Sequence, residues 1–154
     1  MRLRNAAKAL IVKGGHVLVV EYLDESGPWY ILPGGGARPG ETLTAALQRE
    51  CVEELGCSVR INDLLFVREY ISSNHAYFAE WARDVHHVDF IFACDVADEY
   101  DPESVRRNPA GIQNAVAWKS LDELAGLRFF PGQLLDVMRG RGTPVLPHYL
   151  GDVP

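Results

Sequence analysis

The chain has 154 residues, of which 47% are hydrophobic and 23% charged, and it carries a formal net charge of −6. This length suits one domain with a real hydrophobic core, and the composition is that of a globular rather than a disordered protein. Because nucleic acid polymers and anionic membranes repel a negatively charged surface, the charge argues against both as general partners.

The first forty residues predict short extended segments separated by turn residues. The segments are residues 6–12, 16–22 and 29–32. Gly14 and Gly15 predict a turn, which makes the second segment the return strand of a hairpin. Residues 24–28 predict a loop, and residues 34–40 predict a glycine-rich loop that follows Pro33.

A helix is predicted directly after the glycine-rich loop. Thr42 or Thr44 can cap its first turn, because a threonine hydroxyl can accept a hydrogen bond from a free backbone N–H there. The helix is expected to run to about Leu55, with Gly56 as its stop.

The second half of the chain predicts further strands and two short helices. The strands lie in residues 58–71, 85–96 and 113–118, and the helices in residues 121–124 and 133–139. Residues 72–84 predict a loop or a long hairpin tip, and the chain from Gly140 onward predicts an irregular tail. Strands and helices without regular alternation predict an α+β layer fold, with residues 1–154 as a single domain.

Neither a targeting segment nor a disulfide framework is indicated. The apolar run at residues 9–12 is too short for a signal peptide, and no run approaches the roughly 20 apolar residues of a membrane helix. Cys51, Cys57 and Cys94 are odd in number and form no Cys-x-x-Cys pair, which predicts reduced thiols rather than disulfides or a zinc site. A cytoplasmic location is the resulting expectation.

The predicted helix places three carboxylates on one face. Each residue turns a helix by about 100°, so Glu50, Glu53 and Glu54 fall within an arc of roughly 100°. Like charges this close repel each other, and a divalent cation removes the conflict. Oxygen-only ligands favour Mg²⁺ or Mn²⁺ over zinc.

Other residues indicate how loop and helix are joined. Arg49 lies four residues before Glu53, within ion-pairing reach, and it could also reach back to Glu41. A phosphate-binding P-loop is excluded because no Gly-Lys-Ser/Thr follows the glycines, and Pro39 stands where a dinucleotide-binding loop needs its third glycine.

The joint spacing from Gly35 to Cys57 is the specific signal. It resembles the Nudix box of MutT-like hydrolases, Gly-x5-Glu-x7-Arg-Glu-U-x-Glu-Glu-x-Gly-U, in which U is a bulky apolar residue. Every charged and glycine position of that pattern is matched, and Cys51 and Cys57 occupy the two U positions. Residues 29–36 also resemble the segment that usually precedes the box.

The resemblance implies an α/β/α sandwich around a mixed β-sheet, with the box as a loop–helix–loop. It further implies a metal-dependent hydrolase that cuts a phosphoanhydride bond in a nucleoside diphosphate linked to another group. Mg²⁺ is the expected metal, with Mn²⁺ as an alternative, and a small nucleotide is the expected partner. By resemblance, the metal ligands are Glu50, Glu53, Glu54 and the carbonyl of Gly34.

The other residues of the box receive roles by the same resemblance. Glu50 and Glu53 are the candidates for the general base, with Glu50 favoured, although in this family the base can also lie outside the box. Arg49 is grouped with them as a catalytic residue. The residues expected to support the box are Gly35, Glu41, Arg49 and Gly56.

Substrate choice lies outside the box, and the family's downstream marks for ADP-ribose, dinucleoside polyphosphates and NADH are not matched. The candidates for substrate contacts are Arg38, Tyr77, Trp81 and Arg83. The aromatic side chains could equally pack on their own domain or on a second subunit, and the latter allows a homodimer. His86 and His87 are expected not to be metal ligands, and adjacent strand residues point to opposite faces.

Several alternatives stay open. A catalytically silent Nudix-like nucleotide-binding or sensor domain is disfavoured because its carboxylates are often lost, whereas this set is complete. An enzyme of RNA ends is disfavoured by the acidic charge and the missing basic stripe. A non-nucleotide diphosphate is not excluded by any residue.

Overall fold

The computed structural model describes residues 2–75, 84–105, 113–140 and 148–154. In these segments it contains ten strands and three α-helices. The strands are β1 Arg2–Leu10, β2 Val12–Lys13, β3 His16–Asp24, β4 Gly27–Ile31, β5 Gly34–Gly36, β6 Arg60–Ile71, β7 Val85–Asp95, β8 Gln113–Ser120, β9 Phe129–Phe130 and β10 Tyr149–Asp152. The helices are α1 Leu43–Leu55, α2 Leu121–Ala125 and α3 Gln133–Met138. The predicted α+β class is confirmed.

The strands form two sheets of mixed direction. The first has the order β10-β6-β7-β1-β5, in which β1 runs parallel to β7 and antiparallel to β5. The second has the order β2-β3-β4-β9, and β8 joins it along β3. Within the described segments, no helix combines the length and the apolar character that a membrane span requires.

Strand β3 shows how the layers are arranged. Leu18 and Val20 pack in a core with Leu47 of α1, whereas Val17 and Val19 pack in a second core with Leu134 of α3. Because successive side chains of a strand point to opposite faces, β3 lies between the two cores. Helices therefore cover the β-layer from both sides, as the expected α/β/α sandwich requires.

Helix α1 begins and ends where the sequence predicted. Thr42 is the cap, since its hydroxyl accepts a hydrogen bond from the Ala45 N–H at 3.1 Å. Gly56 ends the helix with a φ of 73°, a conformation that favours glycine. One face of the helix is buried through Ala46, Leu47, Cys51 and Leu55, which leaves the opposite face to present charged side chains.

The predicted hairpin of the first two strands was only partly right. Only the two residues of β2 pair with β3 across the turn at Gly14 and Gly15, while β1 belongs to the other sheet. The physical reason is that β1 pairs along its whole length with β7, from Arg2 opposite Val85 onward. Local turn residues cannot reveal such a distant partner.

Two segments predicted as irregular are strands. Gly34–Gly36, assigned to the glycine-rich loop, pairs with β1, and Tyr149–Asp152, assigned to the tail, pairs with β6. Glycine has a low intrinsic preference for strands, so both assignments were wrong for the same reason: tertiary pairing overrode local preference. The strand Phe129–Phe130 beside β4 was also not predicted.

Candidate active site

Arg49 joins the glycine-rich segment to helix α1. Its Nε and Nη2 atoms donate to the two carboxylate oxygens of Glu41 at 2.7 and 2.9 Å, and Nη2 also donates to the Gly36 carbonyl at 3.1 Å. Such a bidentate pair fixes the relative orientation of the guanidinium and the carboxylate as well as the distance between them. The hydrogen bonds from Arg49 lower the pKa of Glu41 to about 2. The tie between loop and helix is as predicted.

Glu50 is held between Arg49 and strand β5. Its Oε1 atom accepts a hydrogen bond from Arg49 Nη1 at 2.6 Å, and its side chain is 17% exposed. A β-carbon built on Gly35 would lie 2.5 Å from the carboxyl carbon of Glu50. A side chain at position 35 would therefore displace this carboxylate from its place beside β5.

Glu54 is partly buried and lies on the same helix as Glu50. Its Oε2 atom accepts a hydrogen bond from the Gly34 N–H at 2.7 Å, and its Oε1 atom accepts one from the Tyr22 hydroxyl at 3.3 Å. Burial raises its pKa to about 7, because removing the carboxylate from water penalises the charged form. The second-largest influence, the positive charge of Lys8, acts in the opposite direction.

Lys8 lies beside the carbonyl that was expected to bind metal. Its Nζ atom donates to the Gly34 carbonyl oxygen at 2.9 Å. No local pattern in the sequence indicates a role for this lysine, because it lies on β1, far from the box in the chain. Its positive charge thus lies close to Glu54 and next to the predicted ligand set.

Glu53 is the most open of the three carboxylates. Its side chain is 53% exposed, and its Oε1 atom lies 3.7 Å from Arg49 Nη1 and 4.0 Å from Arg38 Nη2. In the described part of the chain, no three His, Cys, Asp or Glu side chains already converge on one metal-binding point. The carboxylates share a helix face, as predicted, but Glu50 and Glu54 are turned toward protein donors.

We expect Glu54→Gln to stabilise the protein at pH 8 in EDTA. A carboxyl whose folded-state pKa is raised contributes stability below its unfolded pKa of 4.5, and this contribution is lost as the pH rises to about 7. The loss is on the order of 3 kcal/mol, and an amide avoids it while its oxygen still accepts from Gly34. Urea unfolding of both proteins from pH 5 to 8 measures the difference. An equal pH dependence of the two would contradict the raised pKa.

A cavity of about 330 Å³ lies beside these carboxylates, between the two sheets. One wall is aromatic, because the rings of Tyr22 and Trp29 stack with their centroids 4.8 Å apart and Phe130 meets Trp29 edge-on. The other wall comes from the first sheet. Its polar side chains are Arg4, Lys8, Arg68, Tyr70, His87 and Asp89.

An open groove of about 890 Å³ adjoins this cavity. Glu50, Glu53 and Arg38 line the groove, and Arg4 and His87 line both spaces. A ligand can therefore place an apolar, planar part in the cavity and an anionic part in the groove beside the carboxylates.

Comparison with known proteins identifies the family. The family model described as NUDIX domain matches residues 1–138. The chain belongs to the Nudix family. Among solved structures, this Nudix fold is similar to a NUDIX hydrolase from Nitrosomonas europaea, with a TM-score of 0.67, 22% identity and 94% of each chain covered. It is also similar to a MutT NUDIX hydrolase from Burkholderia pseudomallei, with a TM-score of 0.64, 22% identity, and coverage of 88% of this chain and 96% of that one.

A curated relative of this Nudix chain is the nucleoside triphosphatase NudI of Salmonella agona (strain SL483). The two are 37% identical over 67 residues, which is 42% of this chain and 48% of the relative. The chain thus spans about half the length of the curated relatives that it matches.

The structure brings together the predicted residues of the Nudix box, but it describes only one of the four predicted substrate contacts. Arg38 is exposed at the rim of the groove. Tyr77, Trp81 and Arg83 lie outside the described residues. His87 lines the cavity, whereas His86 contacts Glu69 at 3.1 Å. As predicted from the alternation of strand side chains, only one of the two adjacent histidines faces the cavity.

Proposed function

We propose that this Nudix protein is a metal-dependent pyrophosphohydrolase that cuts a phosphoanhydride bond in a small nucleotide, with a nucleoside diphosphate linked to another group as the substrate class. The observation that carries the proposal is the position of Glu50, Glu53 and Glu54 on one helix face, beside a cavity with stacked aromatic rings. The relative NudI is a nucleoside triphosphatase, which supports a nucleotide substrate for this chain.

The donor set fits Mg²⁺ or Mn²⁺. The three carboxylates and the Gly34 carbonyl offer oxygen atoms only, which hard divalent cations prefer. Glu54 is partly buried next to Glu50, so a cation would balance the negative charge of the two carboxylates, and Glu54 would then be fully ionised. When bound, the metal supplies neutralisation of phosphate charge and a lower pKa for attacking water.

The chain's own residues then position the reactants. Glu50 is the proposed general base, and Arg49 fixes its direction through the bond at 2.6 Å. Glu53 and Arg38 face the open groove, where Arg38 can hold a phosphate oxygen. The aromatic wall of Tyr22 and Trp29 takes the planar base, so that the diphosphate lies against the carboxylates.

A substrate panel tests this function. The purified protein is incubated with Mg²⁺ and with nucleoside triphosphates, nucleotide sugars, ADP-ribose, dinucleotides or CDP-alcohols, and phosphate is measured after coupling to a phosphatase. We expect hydrolysis of at least one class, abolished by EDTA and restored by excess Mg²⁺. Nucleotide binding without turnover in either Mg²⁺ or Mn²⁺ would overturn hydrolysis in favour of a catalytically silent binding domain.

A further inference from the structure

Asp89 is a buried carboxylate in the wall of the aromatic cavity. It lies on β7, on the same face as His87 and Ile91, and its side chain is 6% exposed. Its Oδ2 atom accepts a hydrogen bond from Arg68 Nε at 2.8 Å. Its Oδ1 atom is also buried but has no hydrogen-bond partner among the described residues. A buried carboxylate oxygen without a donor is costly, so it indicates a place where a ligand supplies one.

Arg68 determines which oxygen of Asp89 is left for a ligand. The two residues are direct partners across β6 and β7, and Arg68 Nη1 also donates to the Val153 carbonyl at 3.2 Å. Arg68 can only donate hydrogen bonds, so the atom of residue 89 that faces it must be an acceptor. The other polar atom of the residue 89 side chain is then left to bind a ligand in the cavity.

The cavity around Asp89 is suited to a planar heterocycle. Tyr22, Trp29 and Phe130 come from the opposite sheet, and their rings offer faces and edges on which an aromatic base can stack. A volume of about 330 Å³ is at the lower end for a small-molecule site. Stacking on aromatic rings accepts any base, because every base has a π-face. Discrimination between bases must therefore come from polar atoms such as Asp89 Oδ1.

We propose that the cavity selects a nucleobase bearing an exocyclic amino group, with Asp89 Oδ1 accepting the amino N–H. The inference rests on the proposed nucleotide substrate and names its base. An amino group at this position satisfies the unpaired oxygen. A carbonyl oxygen at the same position of the base meets a second acceptor and leaves both unsatisfied.

Nucleotide pairs that differ in one amino group test the selection. Cytosine against uracil, adenine against hypoxanthine and guanine against hypoxanthine are compared in the nucleotide class that the panel finds active. A hydrogen bond to a charged group predicts that the wild type favours the amino member of at least one pair by roughly 10- to 100-fold in kcat/KM. A preference within about threefold for every pair would overturn the proposal.

Asp89→Asn makes the test sharper. Because Arg68 only donates, the amide must turn its oxygen to Arg68 and its NH₂ to the cavity. The cavity then presents a donor, so we expect the ratio of kcat/KM for the amino-bearing member to that for its partner to fall by at least about tenfold in the pair that the wild type discriminates. A preference that Asp89→Asn leaves unchanged would contradict recognition by this residue.

Asp95→Asn is the matched control. Asp95 lies on the same strand and also pairs with an arginine, at 2.7 Å from Arg60 Nη2, but it is 46% exposed and does not line the cavity. The ratio of kcat/KM between the two members of a nucleotide pair should be the same for Asp95→Asn as for the wild type. Thermal shifts by CMP against UMP, AMP against IMP and GMP against IMP read base preference without turnover, so they separate failure of this inference from failure of the hydrolytic function.

Discussion

Glu53→Gln is expected to lower kcat/KM by about 10²–10⁴-fold while leaving the free energy of unfolding nearly unchanged. The Glu53 side chain is 53% exposed, and its contacts to Arg49 and Arg38 are 3.7 and 4.0 Å long, so the fold draws little from it. An amide oxygen carries no negative charge and holds a divalent cation poorly. Steady-state kinetics with Mg²⁺ on the substrate found by the panel, together with thermal unfolding, measure both quantities.

The control for this variant is Glu99→Gln. Glu99 is exposed, follows strand β7, and lines neither the cavity nor the groove. Its substitution removes the same charge from the chain, so any loss of activity from net charge alone would be shared. Turnover of Glu53→Gln that matches Glu99→Gln would remove Glu53 from the proposed metal site.

The Nudix box was predictable because its geometry is local. The spacing of Glu50, Glu53 and Glu54 fixes a shared face on any helix, and Thr42 and Gly56 fix where that helix begins and ends. The tie from Arg49 to Glu41 also spans only eight residues. Contacts between residues this close in the chain do not depend on how distant segments pair, so they can be predicted from the sequence.

The cavity was not predictable from the sequence, because strand pairing between distant segments builds it. Asp89 and Arg68 become partners only through the register of β6 and β7, and Lys8 reaches Gly34 only because β1 pairs with β5. The alternation of residues 85, 87, 89 and 91 was a usable signal that these side chains share a face. Nothing local indicated that this face would meet Tyr22 and Trp29.

Gly34→Ala is expected to destabilise the protein by at least about 4 kcal/mol. A β-carbon at this position would lie 2.1 Å from the carbonyl oxygen of Ala7, which belongs to the backbone of β1 and cannot swing aside. The φ of Gly34 is 126°, a conformation that side chains rarely adopt. Urea unfolding monitored by circular dichroism measures the loss.

Gly40→Ala separates the two causes of that destabilisation. Gly40 also has a positive φ, 87°, but a β-carbon there would have no atom within 4 Å. It should therefore cost only the backbone strain, about 1–2 kcal/mol. Equal losses in the two variants would show that close approach to β1 is unimportant. A larger loss in Gly34→Ala would mean that one glycine serves both fold and site: the approach that pairs β5 with β1 also places the Gly34 N–H on Glu54 and its carbonyl on Lys8.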